Sequence, residues 1–160
     1  MERKHDLSQV AKVARDVELR SVSCREFSAR RQFELANVPK NVSWGGAHEA
    51  TGHRELDSSE IVVIAKFFAG ARPTEQGEGG YLAEVSATFA LRYGVPKEAL
   101  AQLDAEAVQD FAETNGIYNA WPYWRELLQT SAARVGIPGV VAPVFRLVSQ
   151  PNPKADEVSK

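Results

Sequence analysis

The sequence predicts an α+β fold in which three or four antiparallel strands precede two helices, the helices lying on one face of a meander-like sheet. Three observations predict it. Across much of residues 17–93 apolar side chains recur at every second position, the period of a strand with one face buried. Within residues 59–71, Ile61, Val62, Val63, Ile64, Phe67 and Phe68 leave neither face polar, as a central strand covered on both sides requires. After Pro96 the spacing becomes helical, with Leu100, Leu103, Ala107, Val108 and Phe111.

In chain order, LSQVAKVAR near the start offers a short helix with little to bury. Residues 17–35 form a long strand, with Val17, Leu19, Phe27, Ala29, Phe33 and Leu35 on odd positions. Val22 and Cys24 fall on the other parity, so the lapse at residues 21–25 predicts a bulge or a change of interface. A loop, ANVPKNVSWGG, follows, punctuated by Pro39 and the pair Gly45 and Gly46. Residues 47–57 read as a weaker, polar strand. The central strand comes next, then ARPTEQGEGG as a flexible hairpin connection. Tyr81, Ala83, Val85, Ala87, Phe89, Leu91 and Tyr93 then stand opposite Glu84, Ser86, Thr88 and Arg92 as the cleanest alternation in the chain.

In the helical part Asp104 is placed as an N-cap and Gly116 as a stop. A second helix carries Trp121, Trp124, Leu128 and Val135 at steps near seven, with Pro122 in its first turn and Gly136 at its end. SQPNPKADEVSK is charged and broken by proline, the composition of a disordered tail. The expected organisation is an N-terminal segment over residues 1–15, one domain over 16–147 and a tail over 148–160.

Composition narrows the functions. The 19 basic residues are outnumbered by 21 acidic ones, for a net charge of -2, so the totals give no support to binding a nucleic-acid backbone. No stretch approaches the roughly 18–20 apolar residues of a membrane span, and MERKHDLSQ lacks the apolar core of a signal peptide, which places the chain in the cytoplasm. Cys24 is the single cysteine, so no intrachain disulfide forms; it is expected half-buried in its strand.

HEATGHRE resembles a zinc-protease helix until the spacing is counted. His48 and His53 are five apart, so on a strand they point to opposite faces, and they are expected to face solvent. The glycines of GEGGY precede a strand and not a helix, so a hairpin accounts for them better than a phosphate loop. Asp104, Glu106, Asp110 and Glu113 have the spacing of a solvated helix face. Tyr118, Trp121, Tyr123 and Trp124 are harder to place. Successive helical residues lie about 100° apart, so Trp121, Tyr123 and Trp124 cannot all face one sheet, and part of that surface must meet a second subunit or a client.

Several short motifs resemble the SecB-type protein-export chaperones, including the SecB-like chaperones that act on the antitoxin of a toxin-antitoxin module. They are Asn115-Gly116-Ile117-Tyr118, Pro122-Tyr123-Trp124-Arg125-Glu126, Gly136-Ile137-Pro138 and Ala142-Pro143-Val144-Phe145. Upstream, Phe33-Glu34-Leu35-Ala36-Asn37-Val38-Pro39 with Trp44 is similar to the family's first strand running into its crossover loop. The resemblance spans about residues 10–147 and is distinctive only in combination. It implies a four-stranded antiparallel sheet backed by helices, a dimer of dimers, no cofactor, no metal and no reaction. Clients would be unfolded or unstable polypeptides held in apolar grooves. By position, the client-binding residues it implies are Val38, Val42 and Trp44 from the crossover loop and Trp121, Trp124 and Leu128 from the helix. The helix-connecting loop would add Ile137, Val140, Val141, Val144 and Phe145. The chain departs from the export chaperones in two ways. Arg146-Leu147-Val148 leads into a proline-broken end where they have a second helix, and Arg20, Arg25, Arg30 and Arg31 stand on a strand they keep acidic. Both departures speak against docking to the export ATPase and for a dedicated client. Two readings from other classes remain: a small hydrophobic-ligand-binding protein or hydrolase using the same cleft with His48 or His53, and a purely structural oligomerisation module.

Overall fold

A computed structural model of the chain describes residues 7–32, 41–74, 80–137 and 140–142. Its elements are α1 (Leu7–Arg15), β1 (Glu18–Arg31), β2 (Val42–Glu55), β3 (Glu60–Pro73), β4 (Ala83–Gly94), α2 (Lys97–Gln102), α3 (Ala105–Phe111) and α4 (Ile117–Arg134). The strands form one antiparallel sheet in the order β1-β4-β3-β2. Only β2, β3 and β4 make a meander. β1 joins the far side of β4, so the chain between β1 and β2 links opposite edges in the manner of a Greek key, which corrects the simple meander expected above. The flexible connection proposed between β3 and β4 falls largely on residues 75–79 and the C-terminal tail on residues 148–160, both outside the described residues.

β1 shows why its alternation lapses. Its register on β4 shifts between Leu19 and Ser21 and again between Cys24 and Glu26. One bulge would turn every later side chain to the opposite face; two restore the original parity. Leu19, Val22, Cys24, Phe27 and Ala29 therefore all stand on the same face, opposite Tyr93, Leu91, Phe89, Ala87 and Val85. Cys24 is exposed, not half-buried, because β1 is an edge strand.

β2 begins earlier than the sequence suggested. Val42 and Trp44 pair with Pro73 and Ala71 as strand residues, not as part of a loop, and Gly45 and Gly46 continue the ladder. In β3 the odd residues Ile61, Val63, Ala65, Phe67 and Ala69 form the core. The even row is screened only in part: Val62 is buried, Ile64 and Phe68 are half-buried and Lys66 is exposed. Among the described residues helices cover one face of β3, not the two expected.

That outer row carries an ion-pair network. Arg20 meets Glu60 at 3.0 Å, and Arg92 meets Glu60 at 2.5 Å and Glu55 at 3.1 Å. Arg92, then Arg20, hold the Glu60 carboxyl below its ordinary range, and Arg92 does the same for Glu55.

The helices are joined more tightly than expected. Asp104 accepts from the Ala107 N–H at 2.7 Å, the N-cap foreseen for α3. Gly116 does not stop the helix: it keeps helical angles (φ -60, ψ -50), and α3 runs through a single π turn, Ala112–Gly116, into α4. It is glycine because a Cβ there would lie 2.7 Å from the Val63 Cγ1. Pro122 accordingly sits inside α4 and not in a first turn, so the Tyr118 carbonyl receives no N–H from it. Gly136 does end α4: at φ 78 it adopts the left-handed conformation. The Ile137 and Gly136 N–H groups close a Schellman motif on the Ala132 and Ala133 carbonyls at 2.9 and 3.1 Å. α1 has more to bury than expected, because Val10 and Val13 pack it against α3. Asp110 is buried at 3% exposure, so the acidic row of α3 is not a wholly solvated face.

Candidate functional site

The helix face of the sheet is built around Phe67. Trp121 and Trp124 are three residues apart on α4, hence about 60° apart around its axis, and both reach this ring. Trp124 stacks on it at 5.4 Å and 16°, and Trp121 meets it edge-on at 5.9 Å. Tyr118 is 52% exposed, and Tyr123, whose ring lies 6.5 Å from that of Phe89, is still 48% exposed. The expectation that Trp121, Tyr123 and Trp124 could not all reach the sheet is thus too strict, since Tyr123 touches Phe89 at its edge; the exposed surplus lies on the tyrosines and not on the tryptophans.

β2 brings in a further ring. His48 pairs with Phe67 in register, so its imidazole lies 6.1 Å from Phe67 and 6.1 Å from Trp121. Burial pushes its pKa below the ordinary histidine range. His48 is exposed, as expected, yet its ring lies on the helix face of the sheet, because its parity is that of Ala50, buried, and Gly52, packed under α3. His53 stands on the opposite face, 3.6 Å from Glu55, as strand alternation demands.

Between β2, α4 and the chain that follows α4 lies a cavity of about 350 Å³. It gathers six of the residues named from sequence: Trp44 from β2, Trp121, Trp124 and Leu128 from α4, and Val140 and Val141 beyond it. Trp124 and Leu128 form its floor and belong equally to the core, at 3% and 5% exposure; Val141, at 72%, stands at its rim. His48 and Ala47 complete the β2 side. Two named residues lie elsewhere. Ile137 is buried on Ala71 and Ala83, with Val42 packed beside them, in a small cluster at the turn end of the β3–β4 hairpin that adjoins the cavity through Trp44. Val38, Val144 and Phe145 are outside the described residues. The sequence reading put His48 or His53 in the cleft only under the small-ligand alternative; the signal that selects His48 is its shared parity with Ala50 and Gly52.

A second apolar surface runs along the outward side of α4 and β1. Leu19, Tyr118, Pro122 and Tyr123 line a hollow of about 550 Å³, and Phe27, 49% exposed, lies further along β1. On the other side of the sheet a trough of about 640 Å³ crosses all four strands, with the Lys66–Glu49 pair (3.0 Å) along one wall. Among the described residues no helix is long and apolar enough to cross a membrane.

No family model matches the chain. Over 82 residues it is 30% identical to the SecB-like chaperone SmegB of Mycolicibacterium smegmatis, a match that takes in 51% of this chain and 52% of that protein. The chain thus spans about half the length of the curated relative it matches. Its structure is similar to that of a SecB-like chaperone of Mycobacterium tuberculosis, solved in complex with a peptide from an antitoxin. The TM-score is 0.70 at 19% identity, covering 88% of this chain and 99% of that one. The four-stranded antiparallel sheet with helices on one face is therefore the SecB-like fold that the motifs implied.

Proposed function

We propose that this chain is a SecB-like molecular chaperone that holds unfolded or unstable polypeptides without ATP and without catalysing a reaction. It acts in the cytoplasm, for export or for a dedicated client such as an antitoxin. The cavity is the observation that carries this reading: three segments far apart in sequence converge to line it with indole and aliphatic side chains. A client aromatic seated there removes on the order of 150–250 Å² from water. At about 25 cal/mol per Å² this amounts to roughly 4–6 kcal/mol before the costs of ordering the client. Hydrophobic attraction of this kind is non-directional and tolerates many client sequences.

The chain works as a homo-oligomer, a dimer of dimers. Support comes from the exposed apolar side of α4 and β1, where Leu19, Phe27, Tyr118 and Tyr123 would otherwise be left in water. On the outer sheet face Arg20, Arg92 and Lys66 are interleaved with glutamates, which supports a client-dedicated role over docking to an export ATPase.

The test is suppression of aggregation of a chemically unfolded protein by the full chain. Val141→Asp, at the exposed rim, should weaken the suppression while leaving the unfolding midpoint near that of the parent, and Trp121→Ser should abolish most of it with a lower midpoint, because its ring also packs on Phe67. Unchanged suppression would show that clients bind elsewhere. His48 lines the cavity, which keeps the small-ligand reading testable: a specific ligand at about 100 times its dissociation constant adds roughly 2.7 kcal/mol of stability, visible in a thermal-shift screen.

A further inference from the structure

The first residues of β2 and the last of β3 enclose a hollow of about 300 Å³ that adjoins the four-strand trough at Ala47 and Phe68. Register builds its floor from three cross-strand pairs: Ser43 with Arg72, Gly45 with Gly70, and Ala47 with Phe68. Directly opposed residues share a face, and strand alternation puts all six on the face away from His48 and Ala50. One end of the floor is polar, the middle is bare and the other end is apolar.

Tyr81 forms a wall. Its ring lies over Gly70, where an added Cβ would come within 2.2 Å of it, and meets Phe68 edge-on at 5.2 Å. The Arg72 guanidinium lies 4.2 Å from the centre of the same ring. An aromatic face holds this cation in place of an acid: among the described residues no carboxylate or carbonyl meets it, and the Ser43 hydroxyl has no hydrogen-bond partner either. A guanidinium stacked on a ring keeps its N–H edges free for an anion.

Gly45 is the second sign of a ligand. Gly70 is required by Tyr81, and Gly46 by the Phe68 carbonyl, which would lie 2.8 Å from a Cβ. Gly45 has no such reason: nothing lies within 4 Å of where its Cβ would be, and its φ is outside the left-handed region. Glycine inside a strand costs stability, so a bare position that the fold does not require marks a close approach from outside.

We infer that this hollow binds a carboxylate that carries an aromatic or branched apolar group. The carboxylate sits between Arg72 and Ser43, where the guanidinium fork and the hydroxyl both donate to it. The apolar group lies over Gly45, against Tyr81 and Phe68. Two residues of strand rise, about 7 Å, separate the polar end from Phe68. That span suits an apolar side chain beside its own free carboxyl, so the ligand is the carboxyl-terminal residue of a polypeptide or a free aromatic acid. The hollow and the cavity meet along β2 between Trp44 and Ala47, but Arg72 and Tyr81 take no part in the cavity, and the inference stands without the chaperone reading.

The full chain is titrated by calorimetry with N-acetylphenylalanine, with the peptide acetyl-Gly-Ser-Gly-Phe bearing a free carboxyl, and with the same peptide as its carboxamide. At least one acid should bind, and the carboxamide should bind about tenfold more weakly than its parent peptide. Arg72→Gln should weaken the acids about three- to tenfold and leave the carboxamide unchanged. Gly45→Val fills the bare position and should abolish binding, while its unfolding midpoint in urea stays level or rises, because a β-branched residue replaces glycine in a strand. Tighter binding of the peptide acid assigns the hollow to chain termini and equal binding of the two acids assigns it to free acids; either supports the site. No binding of any probe at millimolar concentration, equal binding of acid and carboxamide, or a lower midpoint for Gly45→Val would overturn it.

Discussion

Replacing Gly116 by alanine sets two known effects against each other. In a helix interior alanine is favoured over glycine by about 0.5–1 kcal/mol, so on propensity alone the variant gains stability. The added Cβ, however, would lie 2.7 Å from the Cγ1 of Val63, a side chain with no exposure on the central strand β3. Valine is stiff at χ1 and cannot swing aside, so helix and sheet must separate or strain, at about 1–3 kcal/mol. The net expectation is a loss of roughly 0.5–2 kcal/mol. Val63→Ala alone should cost about 2–3 kcal/mol through lost methyl burial and a residual void. The double variant places one methyl group where two were removed, so its loss should fall short of the sum by about 1 kcal/mol or more. Urea unfolding at fixed protein concentration, read as midpoint shifts at constant slope, measures all three. A neutral or stabilising Gly116→Ala, or strictly additive losses, would refute the packing argument.

Three other outcomes follow from the structure. Asp104→Ala removes the acceptor of the Ala107 N–H and should cost about 0.5–2 kcal/mol in the same assay, with Asp104→Ser recovering most of it. Arg92 holds Glu55 and Glu60 below the ordinary carboxylate value of 4.5; the stability this gives is present above that value and is lost as pH falls through the lower folded values. The melting temperature of the parent should therefore drop more steeply below about pH 4.5 than that of Arg92→Gln, and parallel curves would contradict the pairing. Burial pushes the Tyr93 phenol up to about 12, and its oxygen accepts from Asn119 Nδ2 at 3.0 Å. Tyr93→Phe should leave that amide short of an acceptor and cost about 1–3 kcal/mol in urea unfolding.

Legibility in the sequence followed how local each signal is. β4 could be read outright because its odd positions bury against helices along its whole length. The parity lapse in β1 was visible, and the return of Phe27 and Ala29 to odd positions already required a second bulge. Gly116 misled because glycine marks helix ends as often as tight helix-sheet contacts, and only the position of Val63 decides between them. Gly45 and Gly46 misled in the same way, reading as loop punctuation when both belong to β2. In the site, the step of three between Trp121 and Trp124 put both indoles on one side of α4 without any knowledge of the sheet. That His48 would join them depends on its pairing with Phe67, a register set some twenty residues away. Ile137 was misplaced because the Schellman turn swings it onto Ala71 and Ala83, a direction no periodicity encodes.

The paired irregularities of β1 carry a genetic consequence. The two supernumerary residues are Arg20 and Arg25, one at each skipped position. A one-codon deletion of either would remove one bulge and leave the flanking pairs, and so the facing of Val22, Cys24, Phe27 and Ala29, as they are. Losing both codons together would leave an unbroken ladder with every face intact, lacking only the Arg20 contact to Glu60. Loss of a residue in this strand should therefore be tolerated at positions 20 and 25, singly or together, and selected against at the paired positions between them.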